Sequence, residues 1–112
     1  MKWELGRLWT GYRKCKLLTG LFPVPFDLYL LHFPEGSYIP AHTDPVPGRR
    51  HFRLNIVLRK ANKGGFFYRE QELKDQRIHF FRPDESEHFV TRVMEGDRYV
   101  LSLGWTLIKK DY

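Results

Sequence analysis

From residue 26 onward the sequence is a series of short runs rich in β-branched and aromatic residues, and this pattern limits the fold more than any other feature. Runs of this kind are typical of β-strands. They cover residues 26–33, 37–42, 51–59, 66–68, 77–81, 88–94 and 98–108. Turn-forming Pro, Gly, Asn and Asp residues separate the runs. We therefore predict a mainly β chain of about seven strands, arranged as an antiparallel sandwich or barrel.

One helix is predicted before the strands, over residues 3–18. Apolar residues recur there at helical spacing, and the dipeptide Thr19-Gly20 is expected to end the helix. The recurring residues are Leu5, Leu8, Trp9 and Tyr12. We expect this helix to pack on the sheet. With 112 residues, the chain is predicted to form a single domain over residues 1–112.

The charge of the chain favours contact with anions but does not identify one. The formal net charge is +6. Lys and Arg residues are spread along the whole chain without an Arg-rich run, so a solvated basic surface is favoured over a nucleic-acid interface.

Cys15 is the single cysteine, which excludes an internal disulfide and fits a reducing compartment. No apolar run approaches the ~20 residues that span a bilayer, so we expect a cytoplasmic protein without a membrane partner.

A histidine and an aspartate lie two residues apart at the end of the second run. On a strand, residues i and i+2 project from the same face, so His42 and Asp44 can point to one place, and Pro45 then ends the strand. This spacing is common by chance and needs a third ligand. His88, at the start of a later run, is the candidate. Two imidazoles and one carboxylate can hold a divalent metal on one side and leave its other positions open.

The other three histidines and the acidic residues before His88 have simpler interpretations. We favour the interpretation that these histidines are packed or hydrogen-bonded strand residues. For the acidic residues, a solvated turn is at least as good an explanation as a role beside the metal. The histidines are His32, His51 and His79.

Six sequence blocks follow one another through residues 28–107. They are YIPAHTD (38–44), RLNIVL (53–58), GGF (64–66), RIHFF (77–81), EHFV (87–90) and DRYVLSLGW (97–105). In this order and spacing they resemble the 2-oxoglutarate- and Fe(II)-dependent oxygenases of the prolyl-hydroxylase-like group.

The resemblance implies a double-stranded β-helix, or jelly roll, over about residues 26–108. It implies that His42, Asp44 and His88 bind Fe(II), and that Arg98 binds the distal carboxylate of 2-oxoglutarate. An arginine suits this task because its planar guanidinium can donate two parallel hydrogen bonds to a carboxylate. The implied reaction uses dioxygen and 2-oxoglutarate to hydroxylate or oxidatively demethylate a substrate, with release of succinate and carbon dioxide.

Strand parity extends the predicted cosubstrate site. Arg98, Val100 and Ser102 share one face of their strand. Arg53 and Asn55 share the inward face of another strand if its apolar face, which includes Leu54 and Ile56, packs against the helix. Relatives place cosubstrate contacts on such faces and often carry a tyrosine four residues before the first ligand. The predicted cosubstrate-binding residues are therefore Arg98, Asn55, Tyr38 and Ser102.

The loop Pro45–Arg50 leaves directly from the predicted metal site, so it is placed to cover a substrate. Its two arginines could meet a phosphate or an acidic side chain, although a solvated loop is the simpler interpretation. The candidate substrate-binding residues are Arg49, Arg50 and Arg53.

Two alternatives remain open at this stage. The chain could be a jelly roll with a different metal and reaction, similar to a cupin, or a non-catalytic barrel that binds protein or nucleic acid. The sequence does not identify the substrate, which could be a small molecule, a protein or a nucleic acid. The oligomeric state is also undetermined, and self-association would be one way to cover the sheet.

Overall fold

The computed structural model describes residues 2–6, 10–74 and 76–108, and within these ranges every regular element is a β-strand. The strands are β1 (Glu4–Leu5), β2 (Arg13–Gly20), β3 (Phe26–Phe33), β4 (Ile39–His42), β5 (Arg49–Arg59), β6 (Lys63–Gly64), β7 (Phe67–Arg69), β8 (Glu72–Leu73), β9 (Ile78–Phe81), β10 (His88–Val90), β11 (Val93–Glu95) and β12 (Arg98–Ile108).

The strands form a large sheet, a smaller sheet and a short two-stranded ribbon. The six-stranded sheet has the order β1-β2-β3-β12-β5-β9, the four-stranded sheet has the order β4-β10-β7-β8, and β11 pairs with β6. All of these pairings are antiparallel. This is the architecture of a jelly roll, as the resemblance implies.

The core combines side chains from the six-stranded sheet and the four-stranded sheet. Buried residues alternate with more exposed ones along β12 from Arg98 to Gly104, which shows that one face of this strand points inward. The inward residues meet apolar side chains of the smaller sheet and its connections. The buried cluster consists of Tyr12, Phe33, Val57, Phe67, Phe81, Val90, Val93 and Val100.

The predicted strand positions are confirmed closely. The bounds of β3 and β12 are the predicted ones, and the predicted run 88–94 divides into β10 and β11. One bound differs in a way that affects the site: β5 already begins at Arg49, so the loop after Asp44 has only four residues. Within this turn, Val46 forms a β-bridge with Arg49.

The predicted N-terminal helix over residues 3–18 is wrong in the described residues, which form β1 and β2 instead. Two glycines explain this result, since each costs about 1 kcal/mol in a helix interior. Gly11 adopts φ +94, a conformation that ends any helix, and the Tyr12 ring lies over Gly6, where a side chain would collide with it. Of the four apolar residues at helical spacing, Leu5 is exposed and Tyr12 is buried, whereas Leu8 and Trp9 lie outside the described residues.

No helix in the described part of the chain offers the length and apolar character needed to cross a membrane.

Candidate metal centre

Strands β4 and β10 place two histidines side by side. They are neighbours in the four-stranded sheet, and His88 is the register partner of His42. Directly opposed residues on antiparallel strands hold their side chains on the same face, about 5 Å apart. Asp44 follows just after β4, where its backbone N–H donates to the carbonyl of Pro83 at 2.6 Å. The sheet itself therefore brings the three predicted ligands together.

The donor atoms of these three side chains converge. Asp44 Oδ2 lies 3.4 Å from His42 Nε2 and 3.5 Å from His88 Nε2. One ligand atom from each residue lies within 4.8 Å of the others. Donor atoms about 2.1 Å from one divalent ion and on one side of it are about 3.0–3.4 Å apart, so both contacts to Asp44 are already near this range, and the remaining pair would have to close by at most about 2 Å. The three residues form a group that can hold a metal.

Backbone carbonyls fix which nitrogen of each imidazole faces the group. His42 Nδ1 lies 2.7 Å from the carbonyl oxygen of Pro40, and His88 Nδ1 lies 2.9 Å from that of Ser86. A carbonyl oxygen only accepts, so both Nδ1 atoms carry the hydrogen. In the neutral rings the lone pairs are then on the Nε2 atoms that face Asp44. This is the tautomer that a metal requires, held in the way that metal-binding histidines are usually oriented.

A cavity of about 280 Å³ opens beside the three ligands, between the two large sheets. Its walls are apolar where Leu31, Phe33, Phe67 and Phe81 contribute, and polar where β5 and β12 contribute. His88 is buried, whereas His42 and Asp44 are half-buried. A metal held here would therefore have one side against the smaller sheet and the other toward this partly enclosed cavity.

Arg98 lies in the wall of this cavity with its charge unneutralised by the described protein. Its side chain is only 6% exposed, and its Nε has no hydrogen-bond partner among the described residues. The ring of Phe33 lies beside the guanidinium, with its centroid 5.8 Å from Cζ. Burial lowers the pKa of Arg98 to about 10, so the group remains cationic at neutral pH. A buried cation of this kind requires an anionic partner.

The polar wall beside Arg98 is a connected network that includes three predicted site residues. Arg53 Nη2 donates to Asp27 Oδ1 at 2.7 Å, and Arg53 Nη1 donates to Ser102 Oγ at 2.6 Å. The Ser102 hydroxyl donates in turn to Asn55 Oδ1 at 2.6 Å. All three inward residues line the cavity, as parity predicts. Because Asp27 neutralises Arg53, this arginine is less available to a substrate than Arg98 is.

Gly104 makes room for the Arg53 guanidinium, because the two residues are register partners and a Cβ on Gly104 would collide with that group. We expect Gly104→Ala to lower the free energy of unfolding by about 1–3 kcal/mol, as overpacking does. Urea denaturation measures the change. The same substitution made in an Arg53→Ala background should cost much less, and an undiminished cost there would place the clash elsewhere.

Three predicted site residues do not reach the cavity. Tyr38 lines a separate groove on the smaller sheet, where the guanidinium of Arg92 lies 4.5 Å from its ring centroid. Arg49 and Arg50 line a surface hollow with Pro23 and neighbouring residues, and Arg49 donates to the hydroxyl of Thr106 at 2.7 Å. They are elsewhere because β5 starts at Arg49 and draws both arginines into the sheet.

The cavity also contains residues that the sequence interpretation did not assign to the site. Tyr12, Lys14 and Tyr29 come from β3 and from the N-terminal segment that was predicted to be helical. His51 was predicted to be an ordinary strand histidine. It lines the cavity and donates from Nδ1 to the backbone carbonyl of Asp44 at 3.3 Å. Parity offered a signal for His51, because it shares a face with Arg53.

The environment of His51 favours the neutral form of its imidazole. Burial lowers the pKa of His51, and the neighbouring Arg53 guanidinium lowers it further. The ring supports the backbone of Asp44 through its Nδ1 hydrogen bond.

No family model matches the sequence, and no curated protein matches it. Solved structures do match. KdgF from Halomonas sp. is 14% identical with a TM-score of 0.69, over 99% of this chain and 89% of that one. The Schizosaccharomyces pombe Cnp3 cupin domain is 7% identical with a TM-score of 0.69, over 96% and 69%. A predicted oxalate decarboxylase from Thermotoga maritima is 16% identical with a TM-score of 0.61, over 86% and 81%. At these identities the likeness concerns the fold alone: the chain adopts the cupin-type jelly-roll fold.

Proposed function

We propose that the protein is a 2-oxoglutarate- and Fe(II)-dependent dioxygenase that hydroxylates or oxidatively demethylates its substrate. One observation carries the proposal: the cavity that contains the group His42, Asp44 and His88 also contains Arg98, a buried cation with an unpartnered Nε. A metal group alone fits many cupin-type proteins. The added guanidinium fits a cosubstrate with one end for the metal and a carboxylate at the other end.

The donor set fits iron in this role. Two imidazoles and one carboxylate on one side of the ion are the ligands associated with non-haem Fe(II) oxygenases, and they leave open positions toward the cavity. When bound, the iron with 2-oxoglutarate and dioxygen supplies the oxidising chemistry and releases succinate and carbon dioxide. The protein contributes the placement of these groups.

Each wall of the cavity has a distinct task in this proposal. Arg98 binds the distal carboxylate in a position that is shielded from water, where a charged hydrogen bond is strong. Ser102 and Asn55 form the polar side of the cosubstrate site, with Arg53 holding the Ser102 hydroxyl in place. The apolar residues opposite, including Phe33 and Phe81, exclude water from the reacting groups. Tyr38, Arg49 and Arg50 have no part in the proposed site.

Anaerobic spectroscopy tests this proposal directly. Addition of Fe(II) and then 2-oxoglutarate to the protein is expected to give a weak visible charge-transfer band, because the cosubstrate binds the metal itself. The band should require both additions, and it should be absent in His88→Ala. Succinate release in air is the accompanying activity measurement. A folded, iron-loaded protein that shows neither a band nor succinate would contradict the proposal.

A second candidate function follows from the fold. The similar structures are cupin-type proteins, and their likeness to this chain is compatible with a metal-dependent cupin enzyme that acts without 2-oxoglutarate. Arg98 would then hold a carboxylate of the substrate itself. This candidate predicts metal binding without a charge-transfer band and without any effect of 2-oxoglutarate. A non-catalytic binding barrel predicts no metal-dependent turnover at all.

A further inference from the structure

A second cation, Lys14, lines the same cavity at its β2 wall. Lys14 is half-buried, and its Nζ lies 5.3 Å from the centroid of the Tyr29 ring, which also lines the cavity. Its register partner on β1 is Glu4, an exposed residue, and no ion pair between the two is recorded. Lys14 therefore presents a positive charge beside an aromatic ring, within a partly enclosed space.

In the proposed enzyme, the charges of the cavity are balanced except at this lysine. Among the described residues that line it, the formally charged side chains are Lys14, Asp44, Arg53 and Arg98. Asp27 neutralises Arg53. In the proposed enzyme, Asp44 and the dianionic cosubstrate together offset the metal and Arg98. Lys14 is then the one charged group of this set without a counter-charge.

The sheet geometry separates Lys14 from the cosubstrate anchor. Lys14 pairs with Leu31 on β3, and Leu31 pairs with Val100 on β12. Neighbouring strands lie about 4.8 Å apart, so the backbones of Lys14 and Val100 are about 10 Å apart. Arg98 lies two residues farther along β12, which adds distance. In the proposed enzyme both ends of 2-oxoglutarate are already engaged, one by the metal and one by Arg98, so the group that meets Lys14 belongs to another molecule.

From this arrangement we infer that Lys14 anchors the substrate, and that the substrate is acidic: a carboxylate, either of a free amino acid or of an acidic residue in a peptide, pairs with the Lys14 ammonium. The inference rests on the proposed function, because it assigns Arg98 to 2-oxoglutarate. Tyr29 contributes the ring that supports the ammonium. Lys14 is a specificity-determining residue in this assignment and has no part in binding the metal.

Matched pairs of compounds and two lysine variants test the inference. The compounds are aspartate and asparagine, glutamate and glutamine, and end-blocked pentapeptides with a central Asp or Asn between glycines. Lys14→Met removes the charge with little loss of length. Lys16→Met, on the same strand but exposed and outside the cavity, is the control, and Lys14→Arg retains the charge. Binding is measured by calorimetry on the Zn(II)-loaded protein with and without 2-oxoglutarate, and succinate release is measured on the iron form.

We expect at least one acidic member to bind and to raise succinate release above the substrate-free rate, and its neutral partner to do so far less. Lys14→Met should weaken binding of the acidic member by roughly ten- to a hundredfold, as loss of a hydrogen bond to a charged group does. Lys14→Arg and Lys16→Met should retain binding. The affinity for 2-oxoglutarate should be unchanged in all three variants. Free acids and peptides are separate arms, so the result also identifies the source of the carboxylate.

Equal binding of neutral and acidic members, no binding by any acidic member, or an unchanged affinity in Lys14→Met would overturn the inference. Failure of the proposed function has a different signature: the wild-type protein would then lack the charge-transfer band and would not bind 2-oxoglutarate. The calorimetry without 2-oxoglutarate would still report whether Lys14 binds the acid.

Discussion

Replacing His88 by alanine is expected to abolish iron binding and reduce succinate release more than a hundredfold. Loss of a residue that merely orients a ligand typically costs 10–100-fold in metal affinity or activity, and loss of a ligand removes the bond itself. His88 is one of three donors, so its removal leaves only His42 and Asp44. Metal content after dialysis and succinate release under air are the two measurements.

A second buried histidine supplies the control for this experiment. His32 lies next to Phe33 on β3 but outside the cavity, and it stacks on Tyr99 with ring centroids 4.6 Å apart. His32→Phe removes an imidazole and keeps an aromatic ring at that position. We expect this variant to bind iron as the wild type does. Because His32 also bonds Arg13 and Asp97, the folding of both variants is checked by circular dichroism. Equal loss of iron from two folded variants would show that iron binding does not depend specifically on His88 and would remove it from the ligand set.

Replacing Arg98 by methionine is expected to have opposite effects on stability and on cosubstrate binding. Without 2-oxoglutarate, the substitution removes a buried cation with an unpartnered Nε, so the free energy of unfolding should rise by about 1–3 kcal/mol. The affinity for 2-oxoglutarate should fall by roughly two to three orders of magnitude, because truncation of one partner of a buried charged pair costs about 2–5 kcal/mol. A residue with a purely structural role would give the reverse change in stability.

Urea denaturation with and without 2-oxoglutarate measures both effects in one experiment. The cosubstrate should stabilise the metal-loaded wild type and have almost no effect on Arg98→Met. Arg98→Lys keeps a positive charge but loses the paired donors of the guanidinium, so its affinity should lie between the two. If Arg98→Met retained wild-type affinity for 2-oxoglutarate, the cosubstrate would bind elsewhere and the proposed function would lose its main support.

The strands and the inward face of β12 could be predicted because local pattern determines them. Alternation along a strand has a period of two, so assigning Arg98 to the cavity also assigns Ser102. The three predicted metal ligands came from the His-x-Asp spacing and from His88 at the start of a later run, and the resemblance implies the same set. The register of His42 with His88 places these two side by side. Their joint position rests on strand pairing between distant segments, which the residue spacing alone does not determine.

The N-terminal part of the site could not be predicted in the same way. The spacing i, i+3, i+4 and i+7 favoured a helix there, but Gly11 adopts φ +94, through which a helix cannot continue. In the extended chain at and just before β2, Tyr12 and Lys14 lie on the same side and line the cavity. Because a helix was predicted there, neither residue was assigned to the site. Tyr38 was misplaced for a related reason, because the smaller sheet turns its neighbour Ile39 toward the cavity instead.

The predicted metal ligands and the proposed cosubstrate anchor belong to different sheets. His42 and His88 are in the four-stranded sheet, whereas Arg98 is in the six-stranded sheet. Packed sheets are held about 10 Å apart by side chains alone. A small dicarboxylate that joins the ion to the guanidinium would therefore act as a reversible cross-link between the two sheets. When it is bound, backbone amides in both sheets should exchange their hydrogens more slowly than in the ligand-free protein.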